Sequence, residues 1–261
     1  MKLLIAIPTG GTPARPFLDA LAALELPDAV TEAGRLVWTG NFVPAQREMI
    51  ARDAVNAGAD YLAMIDDDIV LPPDALARLI DVLETDDQVA VAGALYYSRD
   101  GARPMAVARW SSADTTTAAI PAFGGSAVAD VDGVGFGCVV VRVAALRALP
   151  QPYFSSHLYV DVTARIVRQC DEDYLLCERL RAAGWRIALH AGVRAGHFDR
   201  GTETSVPQAW ESDAQTDQVR MIVRTGEGTS LVPFDDRAPR VVERHEAFAA
   251  TLLIVGEDGR S

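Results

Sequence analysis

The segment Tyr61–Asp74, with the sequence YLAMIDDDIVLPPD, constrains the fold more than any other part of the chain. Five apolar residues, Tyr61–Ile65, run directly into three aspartates, Asp66–Asp68. A short apolar run that stops at charged residues is typical of a strand buried on both faces, as in a parallel sheet. Two prolines follow, and then apolar residues at helical spacing. The segment therefore predicts a strand, a charged loop and a helix.

The same alternation runs through the first hundred residues. Strands are predicted at Lys2–Ile7, Leu36–Trp38 and Val89–Leu95, and helices at Pro16–Leu24 and Pro44–Ala57. Strands that alternate with helices form a mainly parallel central sheet with helices on both faces. The predicted fold class is therefore α/β, with a single Rossmann-like domain.

The second half of the chain is less regular. Val131–Arg142 is glycine-rich and then β-forming, Asp171–Trp185 has the charges and apolar stripe of a helix, and Pro207–Val223 is predicted to be helical. Residues 231–261 are mixed in character. We therefore divide the chain into a domain of residues 1–230 and a C-terminal tail or arm of residues 231–261.

Charge and cysteine content limit the possible partners and the compartment. The net charge of −12 in 261 residues argues against broad binding to nucleic acid, whose phosphates would be repelled. Three cysteines without a paired spacing are typical of a reducing compartment. We find no signal peptide and no apolar stretch of transmembrane length. The sequence predicts a cytoplasmic protein.

The aspartates themselves allow two interpretations. In an extended strand Asp66 and Asp68 would project from one face and Asp67 from the other. Two carboxylates on one face repel each other unless a cation lies near them, and such oxygen ligands suit Mg²⁺ or Mn²⁺. Ligands of open α/β sheets bind at the carboxyl ends of strands, where this triplet lies. A solvated loop that caps a helix also accounts for the triplet alone.

Several segments together resemble one family. ADYLAMIDDDIVLPPDALARLI resembles the Asp-x-Asp (DXD) segment of nucleotide-sugar glycosyltransferases with the GT-A fold, especially the family 2 group. LLIAIPTGG resembles their first strand and nucleotide-contacting loop, and FVPAQREMIARDAVNAGADY resembles the helix before the DXD strand. CDEDYLLCERLRAAGWRI resembles the start of the acceptor-side helix, and AGHFD resembles the late histidine of the metal site. The resemblance follows the family's order from about residue 2 to residue 199.

The resemblance implies a single GT-A-like domain that moves a sugar from a UDP- or GDP-sugar to an acceptor hydroxyl with the help of Mn²⁺ or Mg²⁺. It implies that the catalytic carboxylates are Asp173, as general base of an inverting reaction, and Glu172. The implied metal ligands are Asp66, Asp68 and His197. The implied nucleotide and donor contacts are Pro8, Thr9, Gly10, Arg47, Asp66 and Asp67. The implied donor-sugar or acceptor contacts are Asp132, Gly133, Gly135 and Trp185.

Each assignment has a structural alternative. Glu172 and Asp173 are also what the start of a helix favours, and Trp185 is equally suited to the core. The run GVGFG at residues 133–137 is equally a bulge or tight bend. Arg99 and Arg103 are possible phosphate contacts or simply solvated.

Two rival functions also stay open. The segment GGTPAR at residues 10–15 is similar to the phosphate loop of sugar-1-phosphate nucleotidyltransferases, although Pro13 removes a backbone N–H that such a loop needs. The other rival is a non-catalytic domain of GT-A type that binds a nucleotide sugar. Turnover of a nucleotide sugar with an acceptor would separate both rivals from a glycosyltransferase.

Overall fold

The computed structural model describes residues 1–99, 101, 103–107, 128–161, 166–201, 204–206, 220–225 and 228–233. The helices within these residues are α1 (Arg15–Ala22), α2 (Val43–Asn56), α3 (Ala75–Thr85), α4 (Val143–Arg147) and α5 (Glu172–Ala182). The strands are β1 (Lys2–Thr9), β2 (Glu32–Thr39), β3 (Tyr61–Ile65), β4 (Ile69–Val70), β5 (Val89–Leu95), β6 (Ala106–Val107), β7 (Val128–Val131), β8 (Gly133–Val134), β9 (Cys138–Arg142), β10 (His157–Asp161), β11 (Ile166–Cys170), β12 (Arg186–Arg194), β13 (Gly196–Asp199), β14 (Thr204–Val206), β15 (Arg220–Thr225) and β16 (Gly228–Pro233).

A seven-stranded sheet in the order β2-β1-β3-β9-β5-β12-β7 forms the centre of the protein. β1 pairs in parallel with β2 and β3, and β5 pairs in parallel with β12. β9 lies between β3 and β5 and is antiparallel to both, so β3 and β5 share one direction. The carboxyl ends of β1, β2, β3, β5 and β12 therefore meet at one edge, which confirms the predicted α/β class.

Two apolar cores lie on opposite faces of this sheet, as the side-chain alternation along β3 shows. Leu62 and Met64 pack in one core, together with apolar residues of α2, α4 and α5. Tyr61, Ala63 and Ile65 pack in the other core, together with α1 and α3. Successive side chains of a strand point to opposite faces, so an apolar strand needs helices on both sides. The predicted cover on both faces is confirmed.

One prediction for the C-terminal part does not hold over the described residues, and the domain division stays a prediction. The predicted helix Pro207–Val223 is wrong at its end, because Arg220–Thr225 forms strand β15, whose β-branched residues favour an extended chain. Residues 207–219 lie outside the described residues. The predicted boundary between residues 230 and 231 falls inside β16, and residues 234–261 also lie outside the described residues. In the part of the chain that is described, no helix has the length and apolar character needed to cross a membrane.

Candidate active site

The three aspartates lie in a tight turn at the carboxyl end of β3. The Ile69 N–H donates a hydrogen bond to the Asp66 carbonyl at 3.1 Å, which closes a turn directly after the strand. The predicted alternation of the three side chains, which assumed an extended chain, is therefore wrong. All three line one cavity of ≈ 550 Å³ at the carboxyl edge of the sheet. The other lining residues are Pro8, Thr9, Gly10, Gly11, Thr12, Val43, Gln46, Arg99 and Arg200.

Asp67 connects the turn to the end of β1. Its carboxylate accepts a hydrogen bond from Thr9 Oγ1 at 2.5 Å and lies 3.3 Å from a guanidinium nitrogen of Arg200. Gln46 of α2 fixes the same region, because its Nε2 donates to the carbonyls of Thr9 at 2.7 Å and Trp38 at 2.9 Å. The sequence analysis missed Gln46 and Arg200. A polar residue on the buried face of a helix was the available signal for Gln46.

His197 reaches Asp68 through strand pairing. β13 pairs with β4 so that His197 lies opposite Ile69, the residue after Asp68. Its Nδ1 lies 2.8 Å from the Tyr97 carbonyl, and its Nε2 lies 3.5 Å from Asp68 Oδ2. A carbonyl only accepts hydrogen bonds, so Nδ1 carries a proton. Nε2 therefore faces the Asp68 carboxylate: it donates a proton toward Asp68 when the ring is protonated, and it offers a lone pair to a cation when the ring is neutral.

The charges around Asp68 favour its ionised form. Burial alone would raise the pKa of Asp68, but hydrogen bonds from His197 and Arg99 outweigh burial and lower it. Burial also works to lower the pKa of His197, while Asp68 and the Tyr97 carbonyl raise it above its ordinary value. Carboxylate oxygen and imidazole nitrogen are donors that suit Mn²⁺.

The metal ligands predicted from the sequence are only partly brought together. Asp68 and His197 are neighbours, but Asp66 is engaged elsewhere. Among the residues that the structure describes, no three His, Cys, Asp or Glu side chains converge as a group that could hold an ion. Asp68 and His197 therefore fit a divalent ion as a pair, while the two oxygens of Asp66 accept hydrogen bonds from another partner.

That partner is Arg47, a buried arginine of α2 that is 5% exposed. One terminal nitrogen donates to both oxygens of Asp66 at 3.0 Å. The other donates to Glu172 Oε1 at 2.7 Å and lies 3.9 Å from Asp173 Oδ2. Burial works to lower the pKa of Arg47, but the three carboxylates raise it, so the side chain stays charged. Arg47 was predicted to contact the nucleotide. Instead its terminal nitrogens face carboxylates, and it does not line the cavity.

Asp173 lies in the first turn of α5 and is 6% exposed. Its Oδ1 accepts the Tyr174 N–H at 2.8 Å, and its Oδ2 accepts the Phe136 N–H at 3.4 Å. Burial raises the pKa of Asp173 to about 7, against the opposing effect of Arg47. A carboxylate with a pKa near neutrality can both take and release a proton at physiological pH.

The glycine run of residues 133–137 is explained by tyrosine packing. A Cβ atom at Gly133 would lie 2.6 Å from the Tyr174 ring, and one at Gly135 would lie 2.5 Å from the Tyr96 hydroxyl. Both glycines are buried. The rings of Tyr96 and Tyr174 occupy the space that side chains here would need, which explains the glycines by packing; contact with donor sugar or acceptor stays a prediction.

Asp132 and Trp185 do not line the cavity that the aspartates line. Asp132 pairs with Arg181 at 3.2 Å, and Arg181 lies eight residues after Asp173 on α5, or about 12 Å along the helix. Trp185 directly precedes β12, whose first residue pairs with the first residue of β5. It therefore lies at the amino edge of the sheet, opposite the cavity, and packs against the core. Neither residue is among those that line the cavity, and their contact with donor sugar or acceptor stays a prediction.

Comparisons with known proteins agree with the fold. The crystal structure of A197 from STIV matches with a TM-score of 0.54 and 18% identity, over 94% of this chain and 100% of that chain. The crystal structure of GalNAc-T7 with UDP, GalNAc and Mn²⁺ matches with a TM-score of 0.52 and 10% identity, over 75% of this chain and 43% of that chain. No curated protein matches the chain significantly.

The sequence comparison identifies the family. The profile described as "Glycosyltransferase like family 2" matches residues 34–224, which is more than half of the chain and includes the aspartate turn, Arg47, the start of α5 and His197. The solved GalNAc-T7 structure is similar to this chain in fold. The chain therefore belongs to the glycosyltransferase-like family 2 and is a glycosyltransferase with a GT-A-like fold.

Proposed function

We propose that this glycosyltransferase moves a sugar from a UDP- or GDP-sugar to an acceptor hydroxyl, with a divalent cation and with inversion at the anomeric carbon. The observation that carries the proposal is the Arg47 network. One buried guanidinium joins Asp66, which lines the cavity, to Glu172 and Asp173 at the start of α5. Arg47 therefore links the cavity wall, where the donor would bind, to the candidate base Asp173.

In the proposed reaction, the acceptor oxygen attacks the anomeric carbon as the bond from that carbon to the diphosphate oxygen breaks. The bonding electron pair leaves with the diphosphate. The acceptor proton passes to Asp173, for which burial and a pKa of about 7 are suitable. Attack from the side opposite the leaving group inverts the configuration. A positioned general base contributes roughly 10²–10⁴-fold in rate.

Glu172 acts by position in this proposal. Its carboxylate accepts a hydrogen bond from the second terminal nitrogen of Arg47. The guanidinium therefore cannot turn fully toward Asp173. A full ion pair with Arg47 would lower the basicity of Asp173. Glu172 therefore helps to keep Asp173 a usable base.

The donor diphosphate would lie in the cavity beside Pro8, Thr9 and Gly10 at the end of β1 and beside the three aspartates. Asp68 and His197 would hold the divalent ion, with Asp66 as a further or water-mediated ligand. When bound, such an ion supplies Lewis-acid stabilisation of the leaving diphosphate. The GalNAc-T7 neighbour was solved with UDP and Mn²⁺, which makes these the first ligands to try.

Titration calorimetry with UDP and with GDP, each with Mn²⁺, Mg²⁺ or EDTA, tests the donor side. We expect tight binding of one nucleotide with a divalent ion and weak binding in EDTA. Equal affinity in EDTA would refute the metal role. For the chemistry, proton NMR of the product reports the anomeric configuration, and a retained configuration would refute a single displacement with Asp173 as base.

A further inference from the structure

Arg99 lies in the loop that follows β5, at the carboxyl edge of the sheet. The Tyr97–Pro104 bridge and a hydrogen bond from the Ser98 N–H to the Arg103 carbonyl at 2.7 Å close this loop. The Arg99 side chain is 64% exposed, yet its guanidinium donates to Asp68, whose side chain is 4% exposed. A mostly solvated cation therefore covers a buried carboxylate at the wall of the cavity.

Arg99 and the expected ion need the same atom. Arg99 donates to Asp68 Oδ2, and this oxygen also lies 3.5 Å from Nε2 of His197. A divalent ion held by Asp68 and His197 would take its oxygen ligand from the atom that Arg99 now neutralises. Two cations at one oxygen repel each other, so an ion that takes Oδ2 would compete with the guanidinium for Asp68.

We propose that Arg99 is a catalytic residue that exchanges partners. It neutralises Asp68 in the absence of a divalent ion, and it binds the leaving diphosphate once the ion has taken Asp68. The inference rests on the proposed metal-dependent function. It gives Arg99 opposite effects on two ligands, because Arg99 competes with the metal and assists the nucleotide.

The other two aspartates of the cavity already have partners, so a displaced Arg99 would find its new partner in a bound anion. Asp66 is held by Arg47, and Asp67 by Thr9 and Arg200. The displaced guanidinium remains beside a cavity into which the donor brings a new diphosphate. A guanidinium presents a planar fork of donors that matches phosphate oxygens. Asp199 also interacts electrostatically with Arg99 and is the competing destination.

Arg200 offers a matched control. It lines the same cavity and carries the same charge, but its carboxylate partner is Asp67, which is not a proposed metal ligand. Arg200→Gln therefore removes a positive charge from the cavity without freeing a ligand atom. Any general electrostatic gain in metal affinity appears in both variants, and only the direct competition is specific to Arg99→Gln.

The test measures two affinities in the intact protein. Free Mn²⁺ is followed by electron paramagnetic resonance without nucleotide, and UDP and GDP are then titrated by calorimetry into protein saturated with Mn²⁺. We expect Arg99→Gln to bind Mn²⁺ about two- to fivefold more tightly than Arg200→Gln does, the range for one exposed ion pair. We expect the same Arg99→Gln protein to bind its nucleotide about tenfold more weakly than wild type, as loss of a charge-assisted hydrogen bond implies.

Each other outcome is decisive. If Arg99→Gln and Arg200→Gln change Mn²⁺ affinity equally, Arg99 does not compete for the metal position and the inference is refuted. If Mn²⁺ binds more tightly but nucleotide affinity is unchanged, Arg99 moves to Asp199 or to solvent, which also refutes the exchange. If neither wild type nor any variant binds Mn²⁺, the proposed metal site fails, and the inference fails with it.

Discussion

Replacement of Asp173 by asparagine should make the protein more stable at neutral pH while it removes most of the activity. Asp173 is 6% exposed, and burial raises its pKa from 3.8 to about 7. The folded protein therefore binds this proton more tightly than the unfolded chain does. Between pH 4 and pH 7 the unfolded chain gives up the proton first, so stability falls as the pH rises through this window.

The magnitude follows from the two pKa values. Each pKa unit corresponds to about 1.4 kcal/mol, so full ionisation of Asp173 destabilises the fold by up to about 4 kcal/mol above pH 7. Asparagine is neutral at every pH and avoids this destabilisation. It also has one acceptor oxygen fewer, so one backbone N–H loses a partner, and the long bond from Phe136 at 3.4 Å is the weaker one. That loss costs about 1 kcal/mol, so a net gain remains.

The assay combines melting temperature and turnover across pH. We expect the melting temperature of Asp173→Asn to match wild type near pH 4 and to exceed it increasingly up to pH 8. Turnover should fall by about 10²-fold or more, and the rise of wild-type kcat/KM with pH, which reports ionisation of the base, should disappear.

Asp171→Asn is the control for this experiment, because it makes the same substitution two residues away, at the N-cap of α5, where the carboxylate feels the charge of Arg47 but is not one of its ion-pair partners. It should keep turnover. The reasoning is refuted if Asp173→Asn lowers the melting temperature at pH 8, or if it keeps wild-type turnover per folded molecule. In the latter case Asp173 is only an acid that the start of the helix favours.

Three further predictions follow from single contacts. Arg47→Lys should destabilise the fold by about 1.5–3 kcal/mol in urea unfolding, and it should lower kcat more than nucleotide affinity. The reason is that a lysine ammonium cannot donate to Asp66 and Glu172 at once, as the two guanidinium nitrogens do. Gly135→Ala should cost about 1–3 kcal/mol in the same assay because its methyl group would overlap the Tyr96 hydroxyl, and unchanged stability would contradict the packing explanation. His197→Gln should weaken Mn²⁺ binding by about tenfold or more. Wild type should also lose Mn²⁺ affinity in acid, where a proton occupies the imidazole, and this loss should be smaller in the variant.

Strands and helices of the first hundred residues could be predicted because local sequence determines them. Tyr61–Ile65 and Val89–Leu95 are strands at the predicted bounds, since an apolar run between polar residues has one way to be buried in a sheet. The hairpin β10–β11 was not predicted. The predicted helix Pro207–Val223 was wrong over Arg220–Val223, because a short segment with mixed periodicity takes its structure from its pairing partner, here β16.

The residue types of the site could be predicted from the sequence, but the hydrogen bonds and ion pairs between them could not. The aspartate triplet was expected to alternate like a strand, yet one backbone hydrogen bond after Ile65 turns all three side chains toward one cavity. Arg47 was expected to face the nucleotide, and its contacts with Glu172 and Asp173 span more than 120 residues of sequence. A pattern of residue types carries no information on which distant carboxylate a buried arginine will meet.

The balance of charge explains why such a site would need a cation. Five carboxylates and three guanidiniums form its ion pairs: Asp66, Asp67, Asp68, Glu172 and Asp173, with Arg47, Arg99 and Arg200. With every group ionised, two negative charges are left over, and a nucleoside diphosphate is itself an anion. Arg47 cannot relieve the repulsion, because it is buried and committed to Asp66 and Glu172. A divalent ion would cancel the excess, and Arg99, once displaced from Asp68, would add a positive charge where the leaving group forms.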